Sequence, residues 1–233
     1  MTLVHASNYR ELLIGSGHAR DKRLKVPSRP LDDWACLTTL DHNPDVNPDV
    51  LCSLRNIPWG HCRFPRDINV PGRYTAVAYD ESEGGMLEES SFDEIHAYEV
   101  LEHLGQQGDA ISFFRDFSEI YRLLKPNGYL CATVPSRHSP WAWGDPSHTR
   151  LITLESLTFL DQSEYIRQCD GKLSPMSDFR NIYKADFRLC CQEDDNKTFA
   201  FVLQAIKPSR IGTALKAGEI MGRYRNALGE LAK

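Results

Sequence analysis

The segment FDEIHAYEVLEHL at residues 92–104, followed by EIYRLLKPNGYLCATVPS at 119–136, constrains the fold of this chain more than any other feature. The part that begins at Phe92 reads as a buried strand. Between 110 and 124, Ile111, Phe114, Phe117, Ile120, Tyr121 and Leu124 form the apolar stripe of an amphipathic helix. Pro126, Asn127 and Gly128 then predict a tight turn, and residues 129–134 a second apolar strand. Strand, helix and strand in that order make one right-handed crossover unit of a parallel sheet.

The rest of the chain supplies compatible pieces. Residues 11–14 are an apolar run stopped by Gly15-Ser16-Gly17, which suits a central strand ending in a glycine turn. Further strands are predicted at 36–40 and 49–52. A short helix is predicted at 154–160. Residues 186–192 and 198–206 alternate around Asp194-Asp195-Asn196-Lys197, the pattern of a terminal antiparallel hairpin. Residues 60–91, rich in Pro, Gly and charge, read as an insertion with an extra strand at 74–79. Ile211, Leu215, Met221, Tyr224, Leu228 and Leu231 place an amphipathic helix near the C-terminus, of the kind that docks or self-associates. The expected organisation is one domain over 1–207, carrying the insertion, with the helix at 208–233. Any helix ahead of the first strand is expected to be short or absent.

Composition removes several classes. A chain of 233 residues with 41% hydrophobic content can bury one substantial core. No run approaches the roughly 18 apolar residues that span a bilayer, and the N-terminus lacks a signal-peptide layout. The seven cysteines are odd in number and show no CxxC spacing, so a reduced, cytoplasmic protein is expected. Residues 1–30 and 207–233 each carry six basic residues against two acids, which leaves the middle with fifteen against twenty-eight. Such an acidic body disfavours a broad nucleic-acid footprint.

The run from the fourth strand through Leu101-Glu102-His103 to Leu124-Lys125-Pro126-Asn127-Gly128 closely resembles class I S-adenosylmethionine-dependent methyltransferases. The resemblance implies a Rossmann-like fold and S-adenosylmethionine as cofactor. Gly15, Ser16 and Gly17, with Ala19 at a third small position, are similar to the family's glycine turn, where the backbone approaches the ligand. Asp41 lies 24 residues after Gly17, at the end of the next strand, where an acid accepts hydrogen bonds from ribose hydroxyls. Glu99 follows the fourth strand, where the resemblance implies contact with the cofactor's methionine end. Two places depart from the family. Ser53-Leu54 stands where many relatives carry Asp-Leu, and residues 18–23 are unusually basic, reading either as a carboxylate-holding segment or as solvated surface.

The loop WAWGDPSHTR at 141–150 resembles a segment of related methyltransferases that faces the acceptor. His148 is the candidate general base with Asp145 to orient it, and His103 is a further candidate catalytic group. Glu102, Trp141, Trp143 and Arg150 are candidates for binding the substrate. The insertion, the segment at 99–103 and this loop are expected to shape the acceptor pocket. No metal is expected. Cys52, His61 and Cys62 do not reach a zinc spacing, and Asp145 with His148 is only a pair.

The function expected is methyl transfer to an O or N nucleophile. A small-molecule acceptor is favoured over nucleic acid or sugar, with no membrane partner and with self-association through the C-terminal helix. Two alternatives stand beside it: a degenerate methyltransferase-like binding protein, and a nicotinamide-dependent oxidoreductase. Arg20 occupies the third glycine position that the oxidoreductase motif needs.

Overall fold

The computed structural model describes residues 9–26, 33–60 and 86–211. The extra strand at 74–79, His61 and Cys62, nearly all of the insertion and almost the whole C-terminal helix lie outside the described residues. Seven strands form one sheet: β1 (Glu11–Ile14), β2 (Leu37–Asp41), β3 (Val50–Leu51), β4 (Phe92–Tyr98), β5 (Leu124–Pro135), β6 (Phe187–Asp194) and β7 (Thr198–Ala205). Their order is β3-β2-β1-β4-β5-β7-β6. β1 lies parallel between β2 and β4, with Leu12 opposite Thr38 on one side and Ile95 on the other. β7 runs antiparallel to both β5 and β6. The sheet is therefore the mostly parallel one expected, with its antiparallel hairpin at the end.

One face carries the main core. Leu12, Ile14, Ile95, Ala97, Leu130, Ala132, Val134, Phe201 and Leu203 point to it from four strands. Helix α1 (Ala110–Leu123) covers them, started by Asp109, whose side chain accepts the Ser112 N–H. Phe114, Phe117 and Ile120 are buried as the stripe predicts, but Ile111 is 70% exposed and Phe113 takes its place. The first turn is held instead by Arg150, whose guanidinium lies 5.1 Å from the Phe113 ring centre. The turn expected at 126–128 survives as an unpaired bulge within β5, where Asn127 takes φ 64°.

The described residues of the connection from β1 to β2 hold no helix. Leu24 and Val26 pack on Tyr129, Cys131 and Val202 across the opposite face of the sheet. That face is buried yet polar. Lys22 Nζ lies 2.5 Å from Glu11 and 2.9 Å from Glu94, with all three side chains at most 1% exposed. His96 bonds Glu94 at 2.8 Å and the Tyr98 hydroxyl at 2.7 Å, while Tyr9 donates to Glu94. Arg20 donates to the carbonyls of Val46 and Asn47. Within the basic run Arg20 and Lys22 tie the strap down, while His18, Asp21 and Arg23 are exposed.

The insertion's two stems meet at one place. Gly60 and Met86 form an antiparallel bridge, and the Leu87 N–H donates to the Trp59 carbonyl at 2.9 Å. Trp59 is wholly buried, and its N–H donates to Glu119 of α1. Beyond β5 come three short helices, α2 (Trp141–Gly144), α3 (Leu154–Thr158) and α4 (Gln162–Tyr165). Cys36, Cys131, Cys169, Cys190 and Cys191 are free thiols. Among the described residues no helix is long and apolar enough to cross a membrane.

Candidate functional site

The carboxyl ends of β1, β2, β4 and β5 share one rim of the sheet, and chain direction diverges there between β1 and β4. An open α/β sheet offers its ligand crevice at such a point. β1 delivers Gly15 at φ 59° and Gly17 at φ 53°, left-handed backbone that side chains resist. A Cβ on Gly15 would stand 2.5 Å from Val100, so this glycine lets the end of β4 close in. A Cβ on Gly17 would meet nothing within 4 Å, which leaves open space over the turn. The Ser16 hydroxyl is buried without a hydrogen-bond partner.

Asp41, at the end of β2, fixes that turn. One carboxylate oxygen accepts the Gly17 N–H at 2.9 Å and the other the Asn43 N–H at 2.9 Å. A carboxylate offers about four acceptor positions, and with His42 Nδ1 also 3.4 Å from one oxygen, at least one remains for a ligand. Asp49 is spent elsewhere, on the backbone and hydroxyl of Thr39. These residues fit an adenosyl cofactor: a spacious glycine turn, an orphan hydroxyl and an acid beside it.

Across the rim, β4 ends in Glu99 at φ 57°, a left-handed conformation that costs a non-glycine residue about 1–3 kcal/mol. Its N–H donates to the Thr133 carbonyl, which fixes the residue against β5. Glu99 lines a cavity of about 470 Å³ together with Pro135, Trp141, His148, Lys197 and Thr198. Lys197 and Thr198 escaped the sequence reading. A signal existed: an antiparallel β7 beside β5 must place its amino end at the carboxyl rim of its neighbour.

A single 3-10 turn, Leu101–His103, follows Glu99. Glu102 is 2% exposed and neither carboxylate oxygen has a hydrogen-bond partner. Burial, then the nearby negative charge of Glu99 and Asp145, pushes its carboxyl up to about 8. Its own carbonyl accepts the N–H groups of Thr149 and Arg150, which pins the 141–150 loop over the turn. In consequence the His103 and His148 rings meet edge to face, 4.8 Å between centres.

The remaining candidates divide. Trp141 lines the cavity, whereas Trp143, 70% exposed, does not. His148 is oriented through Nδ1, 2.8 Å from the Trp141 carbonyl. Asp145 does not hydrogen-bond it: its nearest oxygen is 3.8 Å from Nε2. Asp145 instead accepts from the N–H and hydroxyl of Ser147, bonds that hold its carboxyl below the usual range. Arg150 donates to the carbonyls of Leu104 and Asp109 and to Ser112, and so fastens the loop to α1 without lining the cavity.

No protein-family model and no curated protein matches the chain. Solved structures do. A SAM dependent methyltransferase from Archaeoglobus fulgidus is 17% identical, with 84% of this chain and 86% of that one covered and a TM-score of 0.41. An S-adenosylmethionine dependent methyltransferase from Mesorhizobium loti is 11% identical over 84% and 91%, with a TM-score of 0.42. Phosphoethanolamine N-methyltransferase 2 of Haemonchus contortus, in complex with S-adenosyl-L-methionine, is 15% identical over 87% of this chain and 49% of its own, with a TM-score of 0.39. Among the described residues six strands run one way and β7 is reversed, with the strands at 11–14, 37–40 and 95–97 neighbouring and parallel as expected. By its sheet order and strand directions, the chain has a Rossmann-like α/β fold, a mostly parallel sheet closed by an antiparallel terminal hairpin.

Proposed function

We propose that the protein transfers a methyl group from S-adenosylmethionine to an O or N nucleophile. The observation that carries this reading is the pairing of the left-handed Gly15–Gly17 turn with Asp41 at the point where chain direction diverges. In that reading the turn approaches the cofactor through backbone, and Ser16 and Asp41 offer hydroxyl and carboxylate contacts. The cofactor supplies an electrophilic sulfonium methyl. The chain's own contribution is alignment and exclusion of water, which positioning effects make large. The cavity between Glu99, Trp141 and His148 holds the acceptor, and the Trp141 face suits a planar small molecule.

Calorimetric titration with S-adenosylhomocysteine tests the reading. Saturable binding is expected, with no binding of NAD, and Asp41→Ala is expected to weaken it about tenfold, or 1.4 kcal/mol. Trp141→Ala is expected to leave that affinity within about threefold, under roughly 0.7 kcal/mol, while impairing turnover of the true acceptor. Absence of binding in the folded parent chain overturns the proposal.

A further inference from the structure

The buried Glu102 carboxyl has no hydrogen-bond partner at either oxygen and lies beside the acids Glu99 and Asp145. One ligand-capable atom from each of Glu102, His103 and His148 lies within 4.8 Å of the others. Both imidazoles are oriented from outside. His103 Nδ1 lies 3.1 Å from the Ser147 carbonyl and His148 Nδ1 lies 2.8 Å from the Trp141 carbonyl. A carbonyl only accepts, so each Nδ1 carries the hydrogen, and in the neutral ring each Nε2 is left as a bare lone pair. His103 Nε2 is 3.9 Å from Glu102 Oε1, too far for a hydrogen bond. The Glu102 carboxylate has no hydrogen-bond partner at all. A backbone carbonyl behind each imidazole is how metal-binding histidines are commonly oriented.

We infer that Glu102, His103 and His148 form a site for a divalent first-row transition cation beside the cavity that His148 lines. Two imidazoles and one carboxylate suit zinc-like ions and leave coordination positions open. Donors around such an ion sit about 3–3.5 Å apart at bond lengths near 2.1 Å, so the three side chains draw together by roughly 1 Å on binding. Asp145, 3.8 Å from His148 Nε2, lies at the edge of the cluster and adds negative charge. An acceptor hydroxyl or amine entering from the cavity meets the open positions, where a cation lowers the pKa of a bound oxygen nucleophile. That role rests on the methyl-transfer reading; the site itself does not.

The other cluster of this type, Glu94, His96 and Cys131, differs in kind. There Lys22, Tyr9 and His96 already meet the Glu94 oxygens, and Tyr98 meets the second His96 nitrogen. Its lone pairs are occupied. Those of Glu102 are not.

The test is titration of the chelator-treated full chain with ZnCl₂, with MgCl₂ as comparator and without cofactor. One zinc per chain is expected, with magnesium at least about tenfold weaker. Glu102→Gln and His148→Ala are each expected to weaken zinc by more than about tenfold, since loss of even an outer hydrogen-bonding partner costs 10–100-fold. Glu102→Gln removes the ligating carboxyl at constant size, and circular dichroism checks that the fold is kept. A cobalt titration separates this site from the cysteines, because nitrogen and oxygen ligands give no thiolate charge-transfer band. Absence of saturable zinc binding, a thiolate spectrum, or unchanged affinity in Glu102→Gln overturns the inference. S-adenosylhomocysteine binding in the same samples reports separately on the methyl-transfer reading.

Discussion

Two glycines of one turn share a backbone conformation and differ in what surrounds them, so they separate two costs. Gly15→Ala carries the left-handed penalty of about 1–2 kcal/mol and also drives a methyl into Val100 at 2.5 Å. Gly17→Ala carries the backbone penalty alone, because nothing stands within 4 Å. Thermal unfolding is expected to show the larger loss for Gly15→Ala. Calorimetry with S-adenosylhomocysteine is expected to show that Gly17→Ala still costs affinity, since its methyl enters the space over the turn. Equal melting points for the two variants would contradict this account. At this scale much of the site was legible: Gly15, Gly17 and Asp41 carry a spacing that the structure converts into a hydrogen bond. The orphan state of Glu102 was not. It depends on what the loop at 141–150 withholds, and a sequence does not display missing partners.

Strand and helix runs were readable where the pattern is local: continuous burial in β1 and β4, an apolar stripe in α1 and partial alternation in β7. The strap over the second face was not readable. Lys22 finds Glu11 eleven residues earlier and Glu94 far later in the chain, so local pattern shows only a charged run. The strap makes a prediction. Lys22→Met leaves two buried carboxylates without their cation and is expected to cost about 3–5 kcal/mol by chemical denaturation. The same network sets an acid limit. Burial alone would raise the Glu94 carboxyl, but hydrogen bonds from His96, Tyr9 and Lys22 outweigh it and hold it at about 2, below the ordinary 4.5. Its contribution is therefore complete above pH 4.5 and is lost as pH falls towards 2. Denaturation between pH 5 and pH 2, at unit steps, is expected to show a steep loss in the parent and a shallower one in Glu94→Gln.

For the molecule as a whole, the described stems on either side of residues 61–85 are brought together at one bridge. Gly60 and Met86 face each other across an antiparallel bridge, and Trp59 and Arg122 anchor both stems to α1. Bridged residues of that kind lie about 4.5–5.5 Å apart, a gap that a two-residue Asn-Gly turn closes. Replacing residues 61–85 by such a turn is expected to preserve cooperative unfolding and S-adenosylhomocysteine affinity. Turnover is expected to fall if the insertion completes the acceptor pocket. Loss of folding would show instead that the segment is part of the core. The sequence marked this region by composition alone, and the pairing of its stems became visible only in the structure.

The position of β1 carries a consequence for how the chain is made. Its partner on one side, β2, follows within about 30 residues, but β4 on the other side pairs Glu11 with Glu94. At a synthesis rate of about 5–20 residues per second, that neighbour emerges roughly 4–17 s later. Until then a strand of buried Leu and Ile has one open edge and no sheet to join. Non-local parallel pairing is also slow to form. The newborn chain is thus most exposed to misassociation before residue 98 has left the ribosome, and β4 is the strand whose arrival ends that interval.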